Sequence, residues 1–280
     1  MMENNWENFL KNLGEWQGSF TSISLDGELL NSTPSILNLE GFENNQLVRL
    51  RLRRFSPDGY NKPPLSDYSQ EYRSLGRQVI FFTTGAFSKG SMQLAPFSEF
   101  GAEYGFVAEN RRLRFVQLYD RQGDLSSLTL IREFRSSTDA YERPPLTVEQ
   151  LLGQWQGTAC TVYANWQPSE TYATSLSIQD IGGERLQQQL VFGDRTLTST
   201  AAIAGNTLKF EDGPSPRKIL LLPDGTSSNT PLHLKLQQPF FVELGWLVAD
   251  NERQRLIRSY NEKGEWVSAT HVIEHKNALK

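Results

Sequence analysis

Gly14-Glu15-Trp16-Gln17-Gly18 and Gly153-Gln154-Trp155-Gln156-Gly157 are nearly the same pentapeptide, met twice in one chain. A tryptophan framed by glycines is an uncommon pattern, and its return points to one structure built twice. If so, other matches should follow at nearly the same offset. Trp16 and Trp155 lie 139 positions apart. Glu103-Tyr104-Gly105-Phe106 returns as Glu243-Leu244-Gly245-Trp246, 140 positions on. Arg114, Tyr119 and Gly123 return as Arg255, Tyr260 and Gly264, and Ser127, Thr129 and Glu133 as Ser268, Thr270 and Glu274, all at 141. Blocks in one order, separated by small indels, make a true repeat. Its period far exceeds the roughly 20–50 residues of solenoid arrays, so the repeated unit is a domain.

The length agrees: 280 residues suit two domains better than one core. Polar residues from Ser136 lead into Pro144-Pro145, so domains are expected at 1–139 and 147–280 with a short, stiff linker at 140–146. Thr147 with Gln150 three residues on predicts an N-capped helical turn before Gly153, and Asn5 opens a similar turn through Trp6, Phe9, Leu10 and Leu13.

Beyond those turns the chain reads as strands. Val48-Arg49-Leu50-Arg51-Leu52-Arg53 alternates strictly, the mark of a half-buried strand. Similar runs are 35–39, 78–83, 113–119 and 125–134, then 156–163, 171–178, 186–192, 207–210, 218–222, 241–248 and 256–260. Pro57-Asp58-Gly59, Gly182-Gly183, Gly193-Asp194, Asp212-Gly213-Pro214 and Pro223-Asp224-Gly225 are turn signals between them. The expectation is an all-β protein: two tandem antiparallel up-and-down barrels of about 8–10 strands, each opened by a short helix.

A net charge of −4 gives no electrostatic reason to expect nucleic acid or an anionic membrane. The single Cys160 cannot form an internal disulfide. The polar stretch Met1 to Leu13 lacks the apolar core of a signal peptide, and no run nears the ~20 apolar residues of a membrane span. A cytoplasmic protein, or a stromal one in a plastid, is expected.

Gly14-Glu15-Trp16 and Gly153-Gln154-Trp155, each placed after a short helix, resemble the opening of lipocalin and calycin barrels. With its Glu-x-Gly-aromatic blocks, the whole chain resembles a two-barrel calycin-like family of cyanobacteria and plastids whose function is unassigned. The resemblance implies that Trp16 and Trp155, with Gly14 and Gly153, are scaffold at the closed barrel ends. Secreted lipocalins usually carry disulfides and a signal peptide, and this chain departs from them in both.

On the run 255–260, Leu256, Arg258 and Tyr260 share one face. Arg258-x-Tyr260 resembles the carboxylate clamp of cytosolic fatty-acid-binding proteins, in which a guanidinium forks onto the acid and a phenol donates a second hydrogen bond. The first half has Gln117-Leu118-Tyr119 there, so Tyr119 stands without the cation. The resemblance puts the clamp on the last strand, while this one reads as penultimate; a solvated, outward Arg258 is the alternative. Ser268 and Thr270 belong to a face that agrees between the halves, and their small hydroxyls either leave room for a ligand or bond to neighbours. Glu103, Glu133, Glu243 and Glu274 recur as well; pairing with Arg114 and Arg255 is their expected role, acid–base work the alternative. Arg49, Arg51 and Arg53 form either an ordinary solvated stripe or a dock for an acidic partner.

His271 and His275, four apart on a strand, stand about 13 Å apart, too far for one metal ion. No phosphate loop or nucleophile elbow is visible, so no catalytic residue, metal or cofactor is expected. The expected function is non-enzymatic binding of an apolar or amphipathic small molecule of the fatty acid, isoprenoid or tetrapyrrole class, its acidic head gripped inside a barrel by Arg258 and Tyr260. The alternatives are a lyase-like or chaperone protein handling a bilin or other tetrapyrrole, and a structural adaptor that binds protein.

Overall fold

The computed structural model describes residues 5–165, 167–210 and 216–277. The turn expected at Asp212-Gly213-Pro214 lies outside the described residues. The first half runs α1 (Asn5–Leu10), β1 (Gly14–Ile23), β2 (Leu29–Phe42), β3 (Leu47–Arg54), β4 (Ser66–Tyr72), β5 (Val79–Phe81), β6 (Phe87–Gly90), β7 (Phe100–Ala108), β8 (Arg111–Tyr119) and β9 (Leu125–Arg135). The second runs α2 (Val148–Leu151), β10 (Gly153–Tyr163), β11 (Glu170–Asp180), β12 (Arg185–Phe192), β13 (Arg195–Ala204), β14 (Thr207–Phe210), β15 (Arg217–Leu222), β16 (Thr226–Pro231), β17 (Phe240–Ala249), β18 (Glu252–Tyr260) and β19 (Trp266–Lys276). The protein is all-β, with two barrel-like domains of antiparallel strands.

Each half opens alike. Thr147 caps α2 through its hydroxyl, and the Gln150 side chain answers on the Thr147 N–H. Gly14 (φ +129°) and Gly153 (φ +120°) then turn the chain from helix into strand in a conformation that side-chain-bearing residues rarely adopt. Trp16 and Trp155 follow, wholly buried, their indole N–H groups donating to Asn12 O and Leu151 O at 2.9 Å. Cations lie over both rings: Arg135 at 4.4 Å from Trp16, and Arg253 at 5.1 Å and Lys276 at 5.3 Å from Trp155.

The halves differ in closure. The second is a closed ten-strand barrel; the first is a curled nine-strand sheet in the order β4-β3-β2-β1-β9-β8-β7-β6-β5. Comparison of pairings shows the cause. In the second half β14 bridges β13 and β15, whereas in the first only the loop 73–78 separates β4 from β5. The exposed edge of β5 is protected instead by α1. Asn5 donates to Val79 O (2.9 Å) and accepts from Phe81 N (2.6 Å), while Asn8 donates to Phe81 O (3.1 Å). Two asparagine side chains thus imitate a strand ladder.

The halves pack through the outer faces of their sheets. One apolar cluster joins Tyr104, Phe106 and Phe115 to Leu244, Trp246 and Leu256. Contacts across it come in exchanged pairs, as in an isologous dimer. Tyr119 Oη donates to Pro231 O and Tyr260 Oη to Ser91 O, both at 2.9 Å. Leu94 N donates to Gly264 O and Leu234 N to Gly123 O, both at 2.8 Å.

His271 is buried in this interface, its ring centroid 5.2 Å from that of Phe82 and its Nε2 3.0 Å from Gln254 Oε1. Burial pulls its pKa from 6.5 down to about 3. The unfolded chain therefore binds the extra proton between these values while the folded protein does not. This contribution to stability is complete above pH 6.5 and falls as the pH drops below it, by up to about 1.4 kcal/mol per pH unit. Urea unfolding should therefore show a loss of about 1 kcal/mol between pH 6.5 and 5.5 that is absent in His271→Gln; equal slopes for the two proteins would refute the assignment.

Candidate functional site

Arg258 and Tyr260 do not face the barrel lumen. Along β18 the odd-numbered Arg253 and Arg255 line the cavity, so Leu256, Arg258 and Tyr260 face outward. That outer face is covered by the first half, which corrects both the clamp and the solvated alternative. The Arg258 side chain is fully buried. Its Nε donates to Tyr260 Oη at 2.7 Å, its two Nη groups to Gln78 O and Gly90 O at 3.4 Å, and it lies 4.3 Å from the Trp266 ring. Tyr119 makes the mirrored contact from the other half. The pair is a fastener between domains. Thr270 Oγ1 bonds Thr161 Oγ1 at 2.7 Å, and Ser268 is buried in register with Tyr163 and Ser259; neither lines the cavity. Arg49, Arg51 and Arg53 are answered by Glu71, Asp67 and Glu15 at 2.9, 2.6 and 3.5 Å, so the stripe carries no spare charge.

What the two lumens share is a ladder of charges rising from the tryptophan floor. In the first, Arg112 and Arg114 hold Glu133 at 2.9 and 2.8 Å, Arg114 reaches Glu103 at 3.1 Å, and Lys89 closes on Glu103 at 2.7 Å. In the second, Arg253 and Arg255 hold Glu274, Arg255 meets Glu243 at 3.0 Å, and Asn229 donates to Glu243 at 3.1 Å. Burial alone would raise these carboxyls, yet the guanidinium groups keep Glu133 and Glu274 below the ordinary range; Lys89 and Arg114 do the same for Glu103. Carboxylates so firmly ionised and occupied are poor proton donors, which favours their expected pairing role. The recurrence of Arg112 as Arg253, at the same offset of 141, signals the lower rung in the sequence.

Opposite each ladder stands an apolar wall. The first cavity, about 790 Å³, is bounded by Leu37, Leu39, Leu50, Phe81 and Phe87 and opens beside the loop 73–78. The second, about 480 Å³, is bounded by Leu176, Ile178, Leu186, Leu190, Leu208 and Phe210. Both fall within the roughly 300–1,000 Å³ of small-molecule sites. Among the described residues no three His, Cys, Asp or Glu side chains come together as metal ligands, and no helix is long and apolar enough to cross a membrane.

Residues 2–138 match a family model described as the N-terminal domain of unknown function DUF3598. Residues 142–277 match the C-terminal domain of "Biogenesis factor required for ATP synthase 1". A crystal structure of a DUF3598 protein of unknown function from Nostoc punctiforme is 51% identical, spans 99% of this chain and 100% of its own, and superposes with a TM-score of 0.92. The S-type phycobiliprotein lyase CPES from Guillardia theta is 14% identical over 47% of this chain and 91% of its own, with a TM-score of 0.37, a likeness that bears on no activity. No curated protein sequence matches the chain.

Proposed function

Since the chain belongs to the DUF3598 family, we propose that it is a non-catalytic binding protein whose lumens hold an amphipathic small molecule. The two-faced lumen carries this reading: an apolar wall and a charge ladder whose lower arginine lies over a buried tryptophan are found in both halves. Such a lumen offers a tail apolar surface and a head group polar contacts without any reacting group. Native mass spectrometry of freshly purified protein is the test. An adduct released by organic extraction, or saturable uptake of dodecanoate or biliverdin by the extracted protein, supports the reading. A bare chain that takes up neither overturns it.

The match of residues 142–277 to an ATP synthase biogenesis factor favours a second reading, an assembly protein that engages ATP synthase subunits. Recovery of those subunits with tagged protein, lost on competition by untagged protein, would support it; their absence under crosslinking would contradict it.

A further inference from the structure

The top of the second ladder differs from the first. Where Lys89 sits directly on Glu103, the second half has Asn229, which passes the contact on to Arg217 through Nε at 3.2 Å. Arg217 begins β15, and its neighbour on the same lumen face four residues along, Leu221, packs in the cluster around Trp155 at the floor. Four residues of strand place Arg217 about 13 Å above that floor, toward the mouth. Its guanidinium lies 3.5 Å from the Phe241 ring centroid and donates to Phe241 O at 3.0 Å. Among the described residues no carboxylate lies within 4.0 Å of it. The other cavity-lining cations have different standing: Arg253 and Arg255 are consumed by Glu274 and Glu243, while Lys235 lies exposed at the rim. Glu243 is the one acidic residue among those described that lines this cavity.

Resting on the lumen-binding reading, we infer that the second barrel selects a monoanionic amphiphile, a long-chain carboxylic acid. Arg217 takes the carboxylate at the mouth, and the tail lies against Leu190, Leu208 and Phe210 toward Trp155. The orientation follows from placement: the lower rungs are neutralised and cannot hold a second acid without displacing their own. A neutral amphiphile of the same length gains the apolar wall alone. The phenyl ring beneath Arg217 holds the guanidinium plane in place, which favours forked binding over the single contact a lysine would make.

Calorimetric titrations of the extracted protein with dodecanoate and with 1-dodecanol test this, alongside Arg217→Gln and Arg217→Lys. The expected result is dodecanoate bound about tenfold or more tighter than dodecanol. Arg217→Gln should erase that preference while leaving dodecanol affinity unchanged, and Arg217→Lys should restore part of it. Retained dodecanol binding also reports that the variants are folded. Equal binding of acid and alcohol, or a preference that survives Arg217→Gln, would overturn the head-group assignment and leave lumen binding standing. Failure of both ligands to bind would overturn this inference, and lumen binding with it only if the purified protein is also bare and biliverdin is not taken up.

Discussion

Glu274→Ala is expected to lower the free energy of unfolding by about 3–5 kcal/mol. Glu274 is 1% exposed and joins Arg253 to Arg255. Arg253 has no other carboxylate partner among the described residues, and burial already depresses its pKa. Removing the acid leaves a nearly buried guanidinium against Trp155 without its counter-ion, while Arg255 keeps only Glu243. The intact ladder itself adds little net stability, because its desolvation offsets most of its attraction. The asymmetry gives a clear signature. Arg253→Met in the Glu274→Ala background should recover part of the loss, so a double-mutant cycle by urea unfolding should show strong coupling. Glu133→Ala should behave the same way through Arg112 and Arg114. A loss below about 1 kcal/mol would mean that the ladder is hydrated, contrary to its burial.

Arg258→Ala is the second large effect, about 3 kcal/mol or more. It empties a fully buried volume between the domains and takes donors from Tyr260 Oη, Gln78 O and Gly90 O at once. The damage should fall on the packing of one half against the other. Limited proteolysis should therefore cut the linker at 140–146 faster in the variant than in the wild type. Ligand affinity per folded molecule should stay unchanged. Unaltered stability together with lost dodecanoate binding would return Arg258 to the role of a head-group clamp.

The sequence carried the duplication plainly because its markers do structural work in both halves. Gly14 and Gly153 need a positive φ, Trp16 and Trp155 need the floor, and Glu133 and Glu274 need their arginines. Less legible was the face of β18 that looks inward. Alternation separates Arg255 from Arg258, but each face of that strand is buried, one by the lumen and one by the neighbouring domain. Apolar residues at Leu244, Trp246 and Leu256 therefore could not mark the inside. The open first barrel was hidden for another reason: it turns on one four-residue strand, Thr207–Phe210, and on two asparagines of α1 standing in for a ladder. Arg217 gave no signal, since its counterpart Arg77 at offset 140 is an exposed side chain that bonds to Ala164 O.

If ligand sits in the lumens and the Arg258–Tyr260 pair only fastens the domains, a variant in each place should separate the two roles. Leu190→Trp fills the second cavity from its apolar wall, whereas Arg258→Lys keeps a cation in the interface. Calorimetric titration of both variants with dodecanoate, after circular dichroism has shown each to be folded, separates the roles. The prediction is that Leu190→Trp loses the second-barrel site while Arg258→Lys binds as the wild type does; binding that survives Leu190→Trp in full and disappears in Arg258→Lys would contradict it.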